Sequence, residues 1–202
     1  MARTIAAFDF DGTLTRRDTM VPFLASVAGT RSTAAALAAE LPTFARGDRD
    51  RAKERVLTRL LAGRRHNDLV DAGNAYGAGL VRRAVTPEMR RRVAWHRGAG
   101  QDVVIVSASL DVYLDEVARV LGADDLVCTS LEVDEQGCCT GVMVDGNCRG
   151  AAKASRVRAL LAPGDEVAWA YGDSRSDDEF LALATYPVRV RRGRLRGEAT
   201  TP

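Results

Sequence analysis

The chain has 202 residues, of which 46% are hydrophobic and 28% are charged, and its formal net charge is +2. This composition predicts a globular protein with one good core, and the low net charge argues against binding of nucleic acid through overall charge. No segment approaches the roughly 18 consecutive apolar residues that a membrane span needs, so we expect a cytoplasmic protein that contacts neither membranes nor nucleic acid.

The first half of the chain predicts one strand and then a helical region. Residues 3–9 form a short run that is apolar on both faces, which is typical of a fully buried strand. From about 19 to 85 the sequence is rich in Ala, Leu and Arg with helical spacing, and we expect three or four short helices there. One of them carries an apolar face and ends near Gly63; the face consists of Ala52, Val56, Leu57, Leu60 and Leu61.

The second half alternates between strands and helices. Thr86 and Pro87 predict the start of a helix that runs to the glycines near 100. Leu110, Leu114 and the following apolar positions predict another helix, which Gly122 ends. Strands are predicted at 102–109, 125–130, 166–172 and 186–190, a hairpin at 131–144 around Gln136 and Gly137, and helices at about 151–162 and 176–184.

This alternation predicts an α/β fold with a parallel, doubly wound sheet that a helical insert interrupts. The predicted core comprises residues 1–18 and 86–202, and the insert comprises residues 19–85. Functional residues in such sheets gather at the carboxyl ends of the strands. Here those ends, and one following helix, bring together an ordered set of polar residues: Asp9 and Asp11, then Ser107, then Lys153, then Asp173.

Four short motifs contain these residues, and together they resemble a known family. The stretches "DFDGTLT", "IVSAS", "GAAK" and "GDSRSD", in this order, resemble the four motifs of the haloacid dehalogenase superfamily of phosphatases. The insert after the first motif resembles the helical cap of the phosphoserine-phosphatase-like branch. The resemblance implies a Rossmann-like core with an inserted cap, a small phosphorylated substrate, and Mg²⁺ held by Asp9, Asp173 and the backbone carbonyl of Asp11.

The chemistry of phosphate esters explains the paired aspartates. Phosphate monoesters are dianions that hydrolyse very slowly, so their hydrolysis needs cations and exact positioning of the reacting groups. An ionised carboxylate attacks phosphorus without a general base, which favours Asp9 as the nucleophile of an aspartyl-phosphate mechanism. Asp11, two residues on, is expected to protonate the leaving group and then to activate water. Thr13 is expected to orient Asp11.

Three further groups are expected to bind the phosphoryl oxygens: Ser107, Lys153 and the backbone N–H of the Gly12 turn. Asp177 is expected to hold Lys153 or a metal-bound water. The chain has 29 basic residues, but only Lys53 and Lys153 are lysines, which indicates that the motif needs a compact charge. Two structural alternatives stay open at this stage. Ser107 or Ser109 could cap a helix, and Lys153 could be a solvated helix residue.

Substrate contacts are predicted from the resemblance alone. It places Asp18 where an acidic residue recognises a substrate amine, and Arg55 where an arginine binds a substrate carboxylate. Asp18 is also a suitable helix N-cap, and Arg55 could lie on a solvated face. Arg16 and Arg17 replace the smaller polar residues expected in phosphoserine phosphatases, which argues against phosphoserine itself.

Two arginine-rich stretches, at 89–93 and 188–197, have no interleaved aromatic residues. They are typical of solvated faces and a basic tail, and the final segment after residue 190 is expected to be disordered.

Our leading hypothesis is therefore a Mg²⁺-dependent hydrolase of small phosphate monoesters. Transfer of the phosphoryl group to an acceptor other than water, and a phosphate-recognising regulatory module without turnover, are the alternatives. Dehalogenation fits less well, because it needs neither a metal nor the acid that Asp11 provides. The identity of the substrate depends on cap side chains that the sequence does not place, because a fold does not specify a function.

Overall fold

The computed structural model describes residues 2–195. Its strands are β1 (Thr4–Asp9), β2 (Asp102–Leu110), β3 (Asp125–Val133), β4 (Cys139–Val144), β5 (Glu166–Gly172) and β6 (Tyr186–Arg189). Its helices are α1 (Met20–Ala28), α2 (Thr30–Ala39), α3 (Leu41–Ala45), α4 (Arg49–Leu61), α5 (His66–Arg83), α6 (Pro87–Gly98), α7 (Asp111–Leu121), α8 (Ala151–Leu160) and α9 (Asp178–Leu181). Among residues 2–195 no helix combines the length and the apolar character that crossing a bilayer requires.

The six strands form one sheet with the order β4-β3-β2-β1-β5-β6. All neighbouring pairs are parallel except β3 and β4, which form the predicted antiparallel hairpin. Strand β1 lies in the middle of the sheet and is buried on both faces: Ile5 and Ala7 pack into one apolar cluster, and Ala6 and Phe8 into the other. The predicted α/β fold with a mainly parallel sheet is confirmed.

The helical insert contains five helices, so the expectation of three or four is wrong. Gly29, with a φ of 86°, separates α1 from α2, and Pro42 lies in the first turn of the short helix α3. Helix α5 is also longer than the short helices expected, at 18 residues. The sequence pattern does not separate these helices, because short Ala-rich helices show little difference in polarity between their faces.

Three smaller predictions differ from the structure. Leu110 is the buried last residue of β2 and stands at the N-cap of α7, outside the helix that it was expected to begin. The helix expected at 176–184 is reduced to α9, which a 3₁₀ turn at Arg175–Asp177 precedes. The stretch expected to be disordered begins with a defined tight turn at residues 191–194, and its last residues, 196–202, lie outside the described part of the chain.

The insert packs closely on the core through glycines. A Cβ added to Gly73 of α5 would lie 1.8 Å from the carbonyl oxygen of Val112 in α7, and one on Gly141 of β4 would lie 2.3 Å from Cα of Thr58 in α4. One apolar cluster also runs from the insert into the core without a break. The division into a core (residues 1–18 and 86–202) and a helical cap (residues 19–85) stays a prediction.

Candidate active site

The carboxyl end of β1 places Asp9 in the centre of a polar cluster. Asp9 lies beside Val106 of the neighbouring strand β2, and only 6% of its surface is exposed. Its Oδ1 accepts a hydrogen bond from Nζ of Lys153 at 2.7 Å. Its Oδ2 is buried and has no hydrogen-bond partner among residues 2–195. Burial raises the pKa of Asp9, and the ammonium of Lys153 opposes that shift.

Lys153 lies in the first turn of α8 and is 3% exposed, which rules out the solvated alternative. It donates to Asp9 and, also at 2.7 Å, to Oδ1 of Asp177. Burial by itself lowers the pKa of Lys153, but the two carboxylates outweigh it and raise that pKa above its ordinary value. Burial likewise acts to raise the pKa of Asp177, and Lys153 reverses the effect, so the pair stays charged.

Carboxylates from two motifs meet at this point. Oxygen atoms of Asp9, Asp173 and Asp177 all lie within 4.8 Å of one another. Burial, followed by the charges of Asp9 and Asp177, raises the pKa of Asp173 to about 6. Such a set of hard oxygen atoms, with Oδ2 of Asp9 lacking a partner, fits a divalent cation such as Mg²⁺.

Gly12 allows this approach of the carboxylates. It has a φ of 88°, and a Cβ there would lie 2.1 Å from Oδ2 of Asp173. Its backbone N–H, which was predicted to bind phosphate, donates to Oγ1 of Thr15 at 3.3 Å in this structure. Gly12 therefore matters because it has no side chain to displace Asp173 and because it can adopt a left-handed backbone conformation. Its amide already has a partner within the loop, the hydroxyl of Thr15.

Asp11 lies in a different environment from Asp9. Its Oδ2 accepts a hydrogen bond from Oγ of Ser109 at 2.6 Å. Burial first, and then the negative charge of Asp18, raises the pKa of Asp11 to about 7. Thr13 does not orient Asp11 as predicted: its buried hydroxyl has no hydrogen-bond partner within residues 2–195, and Ser109 makes the contact.

The serines of the second motif do not cap a helix, so that structural alternative is wrong. Helix α7 has Leu110 at its N-cap, without a side-chain hydrogen bond. Oγ of Ser107 accepts from the backbone N–H of Ser109 at 3.0 Å, and Ser107 lines the cavity beside Asp9. The last residues of β2 thus place Ser107 in the cavity lining and the hydroxyl of Ser109 against Asp11.

Lys53 of α4 is a cavity residue that the sequence reasoning did not assign. Its Nζ donates to the carbonyl oxygen of Ala108 at 2.5 Å, to Oδ1 of Asn147 at 2.7 Å and to Oγ1 of Thr129 at 3.4 Å. Burial lowers the pKa of Lys53 to about 8. The scarcity of lysine in this arginine-rich chain could have indicated a role for Lys53. Both lysines of the chain line the same cavity.

The two predicted substrate contacts lie in different places. Asp18 lines the cavity, and its Oδ1 also accepts from the N–H of Val21 in the first turn of α1. Its position therefore fits both a substrate contact and a helix cap. Arg55 is absent from the cavity lining. Its guanidinium lies 3.5 Å from Glu40, which is 1% exposed and also pairs with Arg59 at 3.3 Å. The structure therefore assigns Arg55 to an ion pair within the insert.

The cavity has a volume of about 350 Å³ and two chemically distinct sides. The core side carries the aspartates, Ser107 and Lys153. The insert side carries the charged residues Arg49 and Lys53 and is otherwise apolar, with Met20, Val21, Leu24, Leu37, Phe44 and Val56.

Comparison with known proteins places this geometry in a family. Residues 6–182 match the family model described as haloacid dehalogenase-like hydrolase. The chain belongs to the haloacid dehalogenase-like hydrolases. The matched range begins before the first motif and ends after the fourth, so it includes every carboxylate of the cluster.

Curated relatives of this hydrolase extend over most of its length. It is 32% identical to Protein CicA of Caulobacter vibrioides over 194 residues, which cover 94% of this chain and 87% of that protein. It is also 32% identical to a probable phosphatase of Mycobacterium tuberculosis, with 98% of this chain and 73% of that protein covered.

Solved structures share the fold. A Bordetella pertussis protein of unknown function has a TM-score of 0.75 and 25% identity, with 92% of this chain and 88% of that chain covered. A substrate-bound phosphoserine phosphatase has a TM-score of 0.60 and 18% identity, with 91% of this chain and 84% of that chain covered. The latter likeness supports the fold of this family member, including the helical insert.

Proposed function

We propose that this hydrolase is a Mg²⁺-dependent phosphatase of small phosphate monoesters that works through an aspartyl-phosphate on Asp9. One observation carries the proposal: Asp9, Lys153 and the Asp173–Asp177 pair converge at one end of a cavity that also holds Asp11. A probable phosphatase among the curated relatives supports the same class of reaction.

Asp9 attacks phosphorus in this mechanism. Its carboxylate is held by Lys153, whose compact ammonium also neutralises part of the charge on a bound phosphoryl group. Attack forms a bond between a carboxylate oxygen and phosphorus and breaks the bond from phosphorus to the ester oxygen. Ser107, beside Asp9, supplies a hydroxyl that can donate to a phosphoryl oxygen.

Asp11 transfers the protons. With a pKa of about 7, it is protonated in a large fraction of molecules near neutral pH and can donate to the departing alkoxide. The resulting carboxylate then accepts a proton from the water that attacks the aspartyl-phosphate, which releases inorganic phosphate and restores Asp9. Ser109 fixes the orientation of this carboxyl group in both steps.

Mg²⁺ would be held by Asp9 and Asp173, with Asp177 close by. When bound, it supplies positive charge that offsets the repulsion between a carboxylate nucleophile and a dianionic ester. Negative charge is already concentrated at this position, where burial first, and then the charges of Asp9 and Asp177, raise the pKa of Asp173 to about 6.

The direct test is release of phosphate from 4-nitrophenyl phosphate and from a panel of metabolite monoesters, with Mg²⁺ and after chelation by EDTA. We expect hydrolysis that depends on Mg²⁺ and that disappears in Asp9→Asn, because an amide is a poor nucleophile. Phosphate and nitrophenol should appear in equal amounts if water is the acceptor. Nitrophenol in excess over phosphate would instead indicate transfer to another acceptor, and full activity in Asp9→Asn would refute the mechanism.

A further inference from the structure

A second cavity adjoins the active site and is lined almost entirely by arginines. Its volume is about 710 Å³. The lining residues come from the segment after the first motif and from the turn near the end of the described chain: Arg16, Arg17, Asp18, Arg191, Arg192 and Arg194. The mechanism proposed above uses none of these arginines.

The turn at 191–194 is attached directly to the catalytic loop. The backbone N–H of Gly193 donates to the carbonyl oxygen of Gly12 at 3.0 Å. The carbonyl oxygen of Gly193 accepts from Oγ1 of Thr86 at 2.7 Å. The turn therefore has a fixed position beside the residue that separates Asp11 from Thr13.

The conformation of this turn presents its arginines outward. Arg191 and Arg194 exchange two backbone hydrogen bonds, of 2.8 Å and 3.1 Å. The two residues between them, Arg192 and Gly193, have φ values of 50° and 69°. These left-handed values are typical of a type I′ turn, in which Gly or Asn is preferred at both central positions. An arginine at the first of them is less favourable for the backbone, and its side chain extends to the cavity.

Within residues 2–195, no ion pair neutralises the arginines that line the cavity. No side chain of the five arginines forms an ion pair or a hydrogen bond with another residue in the range 2–195. Asp18 is the one carboxylate that the described part of the chain contributes to the lining, and it already accepts the N–H of Val21. Guanidinium groups match the oxygen atoms of a phosphate in a bidentate geometry, so the lining is suited to a phosphoryl dianion.

Asp18 connects the two cavities. It lines the active-site cavity together with Asp9 and Asp11, and it lines the arginine cavity together with Arg16 and Arg17. Its charge acts on Asp11 across the boundary. The two cavities therefore meet at Asp18.

We propose that the arginine cavity binds a second phosphoryl group of the substrate, so that the preferred substrates are small bisphosphorylated molecules. This inference rests on the proposed phosphatase function. A nucleic acid fits the observations less well, because the arginines are confined to one cavity, carry no interleaved aromatic residues, and belong to a chain whose net charge is only +2.

The test compares substrates that differ only in the second phosphoryl group. Suitable pairs are fructose 1,6-bisphosphate with fructose 6-phosphate, and adenosine 3′,5′-bisphosphate with adenosine 5′-monophosphate. We expect kcat/KM for the bisphosphate of at least one pair to exceed that of its monophosphate at least about tenfold. The ratio should fall to near unity in the double variant Arg17→Gln/Arg192→Gly.

The variants are chosen to separate charge from folding. Arg192→Gly removes a guanidinium at a position where the backbone favours glycine, so loss of the preference cannot be attributed to a damaged turn. Arg91→Gln on the exposed face of α6 removes the same charge elsewhere and should leave the ratio unchanged. A ratio that is near unity in the wild type for every pair, or that the double variant preserves, overturns the inference.

A binding measurement provides a second test that does not depend on turnover. In the full-length Asp9→Asn variant, calorimetry should show tighter binding of the bisphosphates than of the monophosphates, and Arg17→Gln/Arg192→Gly should abolish the difference. If 4-nitrophenyl phosphate is not hydrolysed by the wild type, the phosphatase proposal fails. If it is hydrolysed but neither arm shows a preference for bisphosphates, only the present inference fails. Tighter binding of a single-stranded oligonucleotide than of any bisphosphate would also overturn it.

Discussion

The two aspartates of the first motif are two residues apart and yet have different surroundings. Asp9 contacts Lys153 and lies close to the carboxylates of Asp173 and Asp177, whereas Asp11 contacts the neutral hydroxyl of Ser109. The pKa of Asp11, raised to about 7 chiefly by burial, suits a group that must give up and regain a proton. The two chemically identical side chains therefore have separate environments, which fit the two roles proposed for them.

At Lys153 we expect the shape of the cation to matter as well as its charge. Lys153→Arg should lower kcat/KM at least about tenfold, or ~1.4 kcal/mol. The planar guanidinium is too wide for a buried site in which Nζ lies 2.7 Å from both Asp9 and Asp177. Steady-state kinetics at saturating Mg²⁺ would measure the loss. Arg158→Lys, the reciprocal change at an exposed position of the same helix, should have no effect, and wild-type kinetics in Lys153→Arg would exclude Lys153 from the site.

Lys53 is expected to act by positioning the end of β2, which carries Ser107 and Ser109. Its hydrogen bond to the carbonyl of Ala108 fixes the residue between Ser107 and Ser109. Lys53→Met should therefore lower kcat for 4-nitrophenyl phosphate at least about tenfold, because misplacement of catalytic groups is costly even at small distances. Arg55→Ala, two residues away on the exposed side, should have a smaller effect on kcat. Equal effects of the two variants would show that Lys53 has no special role.

Helices α5 and α7 are the elements that attach the insert to the core. Gly73 lets their backbones approach so closely that an added Cβ would lie 1.8 Å from a carbonyl oxygen of α7. Lys53 and the contact between Gly141 and Thr58 fix α4 in the same way. These contacts hold α4 and α5 against the core.

Gly73→Ala should destabilise the protein by about 2 kcal/mol, since the new methyl group has no room against rigid backbone. Thermal unfolding would report the change as a lower Tm. The matched control is Gly98→Ala at the end of α6, where a Cβ meets nothing within 4 Å. That variant should be neutral or slightly stabilising, because alanine has the higher helix propensity. Equal Tm values for the two variants would contradict the close packing of α5 on α7.

On the scale of the whole molecule, the core contains a histidine that makes stability depend on pH. His96 is fully buried, and its Nε2 lies 2.8 Å from the hydroxyl of Tyr171 while Nδ1 contacts Gln101. Burial lowers the pKa of His96 from 6.5 to about 4. Between these values the unfolded chain binds a proton that the folded chain does not, so the free energy of unfolding falls as the pH falls.

The expected loss from this one group is at most ~3 kcal/mol between pH 6.5 and 4. Urea unfolding of the wild type and of His96→Gln across this range would isolate the contribution of His96, because the carboxylates titrate in both proteins. The variant should show a shallower decrease in stability toward acid. Parallel curves for the two proteins would mean that His96 accepts a proton in the folded state as readily as in the unfolded one.

The sequence by itself determined the order of the elements and most of the polar cluster. A buried strand appears in the sequence as a short apolar run, and a helix with one buried face shows a period of 3.6 residues. The carboxyl ends of parallel strands meet at one edge regardless of the loops between them. For this reason Asp9, Asp11, Ser107 and Asp173 could be placed together from their positions after predicted strands. Lys153 followed from the motif and from the scarcity of lysine.

Only the tertiary structure decided which distant groups make contact. Ser109 rather than Thr13 binds Asp11, Lys53 rather than Arg55 reaches the cavity, and Arg16 and Arg17 share a cavity with the turn at 191–194. The residues that meet are many tens of positions apart in the sequence. Their distance in space depends on the order of the strands in the sheet and on how the insert packs on α7. Local sequence records whether a side chain is buried, but the identity of its partner is fixed only when separate segments pack together.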